Sequence, residues 1–124
     1  MQGPRLYILM RTDLDSMNPG KGMAQAAHAA NMFAVRASLA PGYSEWAEQG
    51  FTFGTTLVMG VNEAQLYDVV ESALRDDLYA AVIHDSSYPI RDGAVTHLIP
   101  LDTCGYVFVE GASPDYISEL SLHP

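Results

Sequence analysis

Leu6-Tyr7-Ile8-Leu9-Met10 and the later run Gly20-Lys21-Gly22-Met23-Ala24-Gln25-Ala26-Ala27-His28-Ala29 decide the fold of this chain. The first run is continuously apolar, and we predict a buried strand over residues 5–11. The second run is rich in alanine, and we predict a helix from about Lys21 to Leu39 that Pro41-Gly42 ends. Small side chains along this helix would let it approach a sheet closely.

Three polar side chains of the helix share one face. Lys21, Gln25 and His28 are separated by four and three residues, so they stack over successive turns. A cation, an amide and an imidazole converging at a helix start indicate a site. The alternative interpretation is that Lys21 is only a solvated side chain and that Gln25 and His28 are surface residues or hydrogen-bonded core residues.

The rest of the chain continues the alternation of strands and helices. We predict a helical turn at 44–49, a strand at 52–61, a helix from Asn62 capped by Gln65, and a strand at 79–84. Residues 88–103 are predicted mainly as a long loop with a short strand at 96–99, followed by a strand at 105–109 and a helix at 114–120. This order predicts an α/β fold: a single layered domain over residues 1–124, with a mixed four-stranded sheet flanked by helices on both faces.

Two polar clusters follow the carboxyl ends of strands. Lys21, Gln25 and His28 come after the first strand, and Asp85-Ser86-Ser87 comes after the strand at 79–84. Ligands of such sheets usually bind beyond the carboxyl ends of strands. We therefore expect one shared site, although Asp85 alone would more commonly cap a turn.

Composition limits the classes of function. The net charge is −9, with 6 basic and 15 acidic residues, which disfavours extensive contact with nucleic acid. No apolar run is long enough for a membrane span, and no secretory signal is visible. The single cysteine, Cys104, suits a reducing compartment, so we expect a cytoplasmic protein.

A second set of reactive side chains is His97, Asp102 and Cys104. Cys104 adjoins a predicted buried strand, so a nucleophilic triad is disfavoured. The spacing matches no familiar set of metal ligands. We expect neither a metal nor a cofactor.

The pattern Arg11-Thr12-Asp13-Leu14, followed by Gly-Lys-x-x-x-Gln-x-x-His-Ala from Gly20, resembles the type II peptidyl-tRNA hydrolase family of archaea and eukaryotes. The resemblance includes Trp46 and a strand that ends at Asp85. It implies a four-stranded mixed sheet flanked by helices. It also implies metal-independent hydrolysis of the ester between a peptide, or an N-blocked amino acid, and tRNA.

The resemblance also implies a set of site residues. Lys21 would hold a phosphate or a developing oxyanion, Asp85 or His28 would activate water, and Gln25 would position the water or the substrate. The catalytic candidates are thus Lys21, Gln25, His28 and Asp85, and the substrate-binding candidates are Arg11, Asp13, Gly20, Ser86, Ser87 and Thr103.

The second half departs from the family pattern. The family's Asp-Ala-Gly-x-Thr is Asp85-Ser86-Ser87-Tyr88-Pro89 here, and a glycine-bearing segment is replaced by residues 106–111. Ser86, Ser87 or Thr103 would restore a hydroxyl. The alternative hypothesis is a non-catalytic binder that holds a nucleotide-like or other anionic small ligand, or a protein partner, at Lys21. A homodimer is also an expectation, because a mixed sheet leaves open edges.

Overall fold

The computed structural model describes residues 3–124. The elements of this part of the chain are β1 (Arg5–Arg11), α1 (Pro19–Ala37), α2 (Pro41–Glu48), β2 (Thr56–Val61), α3 (Glu63–Arg75), β3 (Tyr79–Asp92), β4 (Val95–Val109), α4 (Asp115–Ser118) and β5 (Ser121–Leu122). None of the helices has the length and apolar character of a membrane span.

The strands form one mixed sheet in the order β3-β4-β1-β2-β5. β1 and β2 are parallel, and the other pairings are antiparallel. The α/β class is therefore confirmed, but the predicted number of four strands is wrong, because the sheet has five. The additional strand is β5, whose two residues pair with Met59 and Gly60. A two-residue strand is too short to show an alternating pattern in the sequence.

The predicted loop over residues 88–103 is also wrong, because β3 and β4 continue through it as a hairpin. β1 pairs only with residues 104–109 of β4, so the hairpin extends beyond the rest of the sheet. Strands with a free edge tolerate proline, which explains Pro89 and Pro100 in this region. Gly93 adopts a φ of 60° in the connecting turn. We call residues 86–101 the hairpin arm.

Each face of the sheet carries one hydrophobic core. α1 and α2 cover the first face, where Phe33 and Trp46 pack edge to face with ring centroids 5.1 Å apart. The Trp46 indole donates a hydrogen bond to the Thr55 carbonyl at 2.8 Å. α3 packs on the opposite face through Leu66, Val69 and Val70. The chain thus has helices on both faces, as predicted.

Local sequence signals fix where the helices begin. The Asn18 side chain accepts the backbone N–H of Lys21 at 2.9 Å, and Pro19 occupies the first turn, so α1 starts directly after a short loop. Asn62 and Gln65 form the predicted capping box of α3. The first cap places Lys21 at the end of α1 that lies beside the carboxyl end of β1.

Candidate active site

A β-bulge in the β3–β4 hairpin decides which side chains meet α1. Ile83 pairs with Cys104, whereas His84 pairs with Asp102, so Thr103 is an extra residue in β4. Thr103 and Cys104 therefore both point toward α1, where they contact Gln25. Regular alternation would have turned Thr103 to the other face of the sheet.

Gln25 is the centre of a buried chain of hydrogen bonds. Its Nε2 donates to Oδ2 of Asp85 at 2.7 Å, and its Oε1 accepts the Thr103 hydroxyl at 2.6 Å. The exposed fraction is 2% for Gln25 and 0% for Thr103. Because both ends of the amide are engaged, its orientation is fixed. The chain therefore holds the Asp85 carboxylate in one place.

The Asp85 carboxylate is stabilised in its charged form. The hydrogen bond from Gln25 is the largest cause that lowers the pKa of Asp85, and the backbone N–H of Ser87 acts in the same direction. Ser87 N donates to Oδ1 at 2.9 Å. Partial burial opposes these effects, and the charges of nearby His28 and His84 add to them. The site thus presents a fixed anion near neutral pH.

His28 lies beside this carboxylate. Its Nε2 is 4.0 Å from Oδ2 of Asp85, and its side chain is 52% exposed. The separation exceeds a direct hydrogen bond but matches two atoms that share a bridging water. An imidazole facing an anion near solvent is suited to accept a proton from such a water.

Lys21 is held one helical turn away by Ser16 and Tyr88. Its Nζ donates to the Ser16 carbonyl at 3.1 Å and lies 5.1 Å from the centre of the Tyr88 ring. The Tyr88 hydroxyl is 3.1 Å from Oγ of Ser16, which links the two supports. Among residues 3–124, no ion pair involves Lys21. Its ammonium is therefore positioned but not neutralised by a carboxylate.

Two residues of α1 each contact one residue of β3. Lys21 and Gln25 are four residues apart on α1, and they contact Tyr88 and Asp85 on β3. A second β-bulge, between Asp85 and Tyr88, permits both contacts. Residues 86 and 87 of β3 lie opposite the single residue Pro100 of β4, so the side chains of Asp85 and Tyr88 both point toward α1. No signal in the local sequence indicates the contact between Tyr88 and Lys21.

Arg11 and Asp13 form a separate paired cluster. Nε of Arg11 is 2.8 Å from Oδ1 of Asp13, and Nη1 is 3.4 Å from a Glu63 carboxylate oxygen. The hydrogen bond with Asp13 is the largest cause that raises the pKa of Arg11, and it lowers the pKa of Asp13. Arg11 also donates to the Asp102 carbonyl at 3.0 Å. Its buried guanidinium thus ties β1 to β4 and to the start of α3.

The remaining predicted residues lie at the rim. Gly20 is exposed in the first turn of α1, and Ser86 and Ser87 are exposed at the base of the hairpin arm. The backbone N–H of Ser87 contacts Asp85, as described above. Within residues 3–124, the hydroxyl groups of Ser86 and Ser87 have no hydrogen-bond partner that would indicate a role.

A second polar cluster lies on the opposite face of the sheet. Asp102 accepts the Tyr67 hydroxyl at 2.5 Å, and its other oxygen is 2.7 Å from Nδ1 of His84. The Tyr67 hydrogen bond is the largest cause that lowers the pKa of Asp102, and the same bond raises the pKa of Tyr67 to about 12. Asp102 immediately precedes the bulged residue Thr103, so its hydrogen bonds with Tyr67 and His84 hold the bulge on the face of the sheet opposite α1.

An apolar cavity of about 590 Å³ lies on the other flank of the first turns of α1. Three methionines line it, Met10, Met17 and Met23, together with Gly22 and Ala26. A Cβ added at Gly22 would meet no atom within 4 Å. The start of α1 therefore separates a polar face, which carries Lys21 and Gln25, from an apolar cavity.

A comparison with protein-family models gives a match. The family model for peptidyl-tRNA hydrolase PTH2 matches residues 5–100. The chain belongs to this family. A comparison with curated proteins gives no match. Within the PTH2 match lie β1, α1 and all of β3, and with them Lys21, Gln25, His28 and Asp85, whereas Thr103 lies beyond it. Family membership supports a function of the peptidyl-tRNA hydrolase type, related to translation.

Within residues 3–124, no group of three or more His, Cys, Asp or Glu side chains is arranged to hold a metal ion. The Cys104 thiol is buried against α1, and its Sγ contacts the Gln25 carbonyl at 3.4 Å. Burial raises the pKa of Cys104 to about 12. A thiol in this protonated, enclosed state is a poor nucleophile.

Proposed function

We propose that this chain hydrolyses the ester bond between a peptide, or an N-blocked amino acid, and the 3′ end of tRNA. The observation that carries the proposal is the fixed Asp85 carboxylate beside His28, with the unneutralised ammonium of Lys21 one helical turn away. Membership of the PTH2 family supports the same reaction.

In the proposed mechanism a water bridges Oδ2 of Asp85 and Nε2 of His28. The water oxygen attacks the ester carbonyl carbon, and the water proton passes to His28. The carbonyl oxygen becomes an oxyanion, which the positive charge of Lys21 stabilises. The carbon–oxygen bond to the ribose then breaks, and the ribose oxygen takes the proton from His28. The products are a carboxylic acid and the free 3′ end.

Asp85 has an orienting role in this proposal. A carboxylate whose pKa is lowered by Gln25 is a weak general base, since proton transfer is most efficient when the pKa of the base lies near the working pH. Its charge instead stabilises the imidazolium that forms when His28 accepts the proton. Gln25 and Thr103 act through Asp85, because both are buried and bonded within the protein.

The test is cleavage of an N-acetyl-aminoacyl-tRNA by the purified protein. We expect turnover that Lys21→Ala and Asp85→Asn each reduce by at least about 100-fold, the scale on which a single electrostatic contact acts in ester hydrolysis. Asp92→Asn and Arg75→Ala are matched controls, because both side chains are exposed and their partners in the structure, His97 and Ser72, are not site residues.

Two results would contradict the proposal. One is the absence of turnover under conditions in which a known peptidyl-tRNA hydrolase is active. The other is turnover that survives both Lys21→Ala and Asp85→Asn. Absence of turnover combined with Lys21-dependent binding of an acyl-nucleoside would instead assign a non-catalytic binder.

A further inference from the structure

The basic residues of this chain are few, and two of them are used inside the protein. The whole sequence has 6 lysine and arginine residues against 15 acidic ones. Arg5 is 3% exposed and donates to the Gly111 carbonyl and to Oγ of Ser113. Arg11 is 6% exposed and is paired with Asp13. Neither guanidinium can reach a phosphate of a bound nucleic acid.

The other three arginines lie on three different elements. Arg36 is in the last turn of α1, about 22 Å along the helix axis from Lys21 at 1.5 Å per residue. Arg75 is in the last turn of α3, on the opposite face of the sheet. Arg91 is in the hairpin arm, where its Nε donates to the Gly93 carbonyl at 3.0 Å. The three arginines therefore do not cluster into one basic surface.

The surface between Lys21 and Arg36 also lacks cations. The exposed side chains of α1 over this length are Met23, Ala24, Ala27, His28, Asn31 and Val35. Binding of a nucleic-acid body draws its free energy mainly from clustered lysine and arginine side chains that release counterions. The net charge of the whole chain, −9, also repels a polyanion.

We propose that the substrate recognised by this chain is the acylated 3′-terminal nucleoside with its adjacent phosphate, and that the tRNA body adds no binding free energy. Lys21 supplies the one contact to a phosphate or oxyanion, and the rest of the tRNA remains outside the site. The proposal rests on the proposed ester hydrolysis for its chemistry, and on the placement of the arginines for the size of the ligand.

The experiment compares one N-acetyl-aminoacyl group on two carriers, full-length tRNA and the dinucleotide cytidylyl-adenosine. We expect kcat/KM values that agree within about threefold, because only one phosphate contact is made in each case. The slope of log kcat/KM against log salt should be about −0.7 or shallower for both carriers, which is the value for one phosphate on a single strand. A preference of about 30-fold or more for full-length tRNA, with a steeper slope, would overturn the proposal.

Variants locate the contact. The triple variant Arg36→Ala, Arg75→Ala and Arg91→Ala removes every exposed arginine and should leave kcat/KM for full-length tRNA within about twofold. Lys21→Ala should lower kcat/KM for both carriers by the same factor. A loss confined to the full-length substrate in the triple variant would contradict the proposal and would assign a contact to the tRNA body.

Binding measurements separate this inference from the proposed catalysis. Calorimetry uses analogues in which 3′-amino-3′-deoxyadenosine carries the acyl group through an amide, so that ester hydrolysis plays no part. Equal Kd values for the short and full-length analogues support the inference even if no ester is cleaved. A Kd at least about tenfold lower for the full-length analogue, or no binding of the short one, overturns it.

Discussion

Replacement of Thr103 by valine tests whether the buried hydrogen-bond chain positions Asp85. The Thr103 hydroxyl donates to Oε1 of Gln25 at 2.6 Å, and both residues are buried. Valine keeps the shape of the side chain but removes the donor. The carbonyl of Gln25 then lacks a partner in the protein interior, which costs about 1–3 kcal/mol.

The loss of stability translates into a measurable shift in Tm. Unfolding entropies of about 2.1 cal/mol/K per residue give roughly 260 cal/mol/K for 124 residues. The expected decrease in Tm for Thr103→Val is therefore about 4–12 °C. Thermal unfolding followed by circular dichroism measures it.

The effect on activity is the more specific part of this prediction. With one anchor of Gln25 removed, its amide no longer fixes the Asp85 carboxylate, and we expect kcat/KM to fall about 10- to 100-fold. The hydrogen bond from Gln25 is the largest cause that lowers the pKa of Asp85. Weakening of this hydrogen bond should raise the pKa of Asp85, which an NMR titration of the ¹³C-labelled carboxyl group measures.

Thr103→Ser is the matched control, because it keeps the hydroxyl and removes a methyl group. It should lose about 1 kcal/mol of stability through lost packing but retain kcat/KM and the pKa of Asp85. Equal losses of activity in the serine and valine variants would refute the reasoning. So would a valine variant with the activity and the Asp85 pKa of the parent protein.

Two further predictions concern Lys21 and Asp102. Lys21 is the single lysine, so protein grown with ¹³Cε-lysine gives one side-chain resonance. The Tyr88 ring should displace this resonance through its ring current, and the displacement should disappear in Tyr88→Leu and persist in Tyr88→Phe. An unchanged resonance in the leucine variant would contradict the contact between Lys21 and Tyr88. The hydrogen bond from Tyr67 is the largest cause that lowers the pKa of Asp102 in the folded protein. The ionised Asp102 carboxylate therefore contributes its full share to folding stability above the pKa of the unfolded chain, which is about 4. This contribution is lost as the pH falls through the lower pKa of the folded protein. Tyr67→Phe should therefore cost about 1 kcal/mol at pH 7, and denaturant titrations should show this difference shrinking toward pH 3; a constant difference would contradict it.

The sequence was sufficient to predict the elements that have a regular period. The polar face of α1 follows from the spacing of Lys21, Gln25 and His28, and the cap of α3 follows from Asn62 and Gln65. Both depend on contacts within a few residues, which local sequence encodes. The α/β class likewise follows from the order of strands and helices.

The hairpin arm was not predicted because the relevant information is not local. Pro89 and Pro100 usually argue against a strand, and they are tolerated here only because β1 ends before the arm begins. The length of β1 relative to β4 is a property of the assembled sheet. A strand prediction over 88–103 would therefore have required knowledge of which strands lie side by side.

The same limit applies to the site. The two register shifts in the β3–β4 hairpin are set jointly by both strands, and each turns a side chain to the face that α1 covers. One shift presents Thr103 to Gln25, and the other presents Tyr88 to Lys21. In a regular ladder both side chains would point away from α1, leaving the amide of Gln25 half-bonded and Lys21 without its aromatic support. The helix thus supplies the spacing of the polar groups, and the irregular hairpin supplies the contacts that hold them in place.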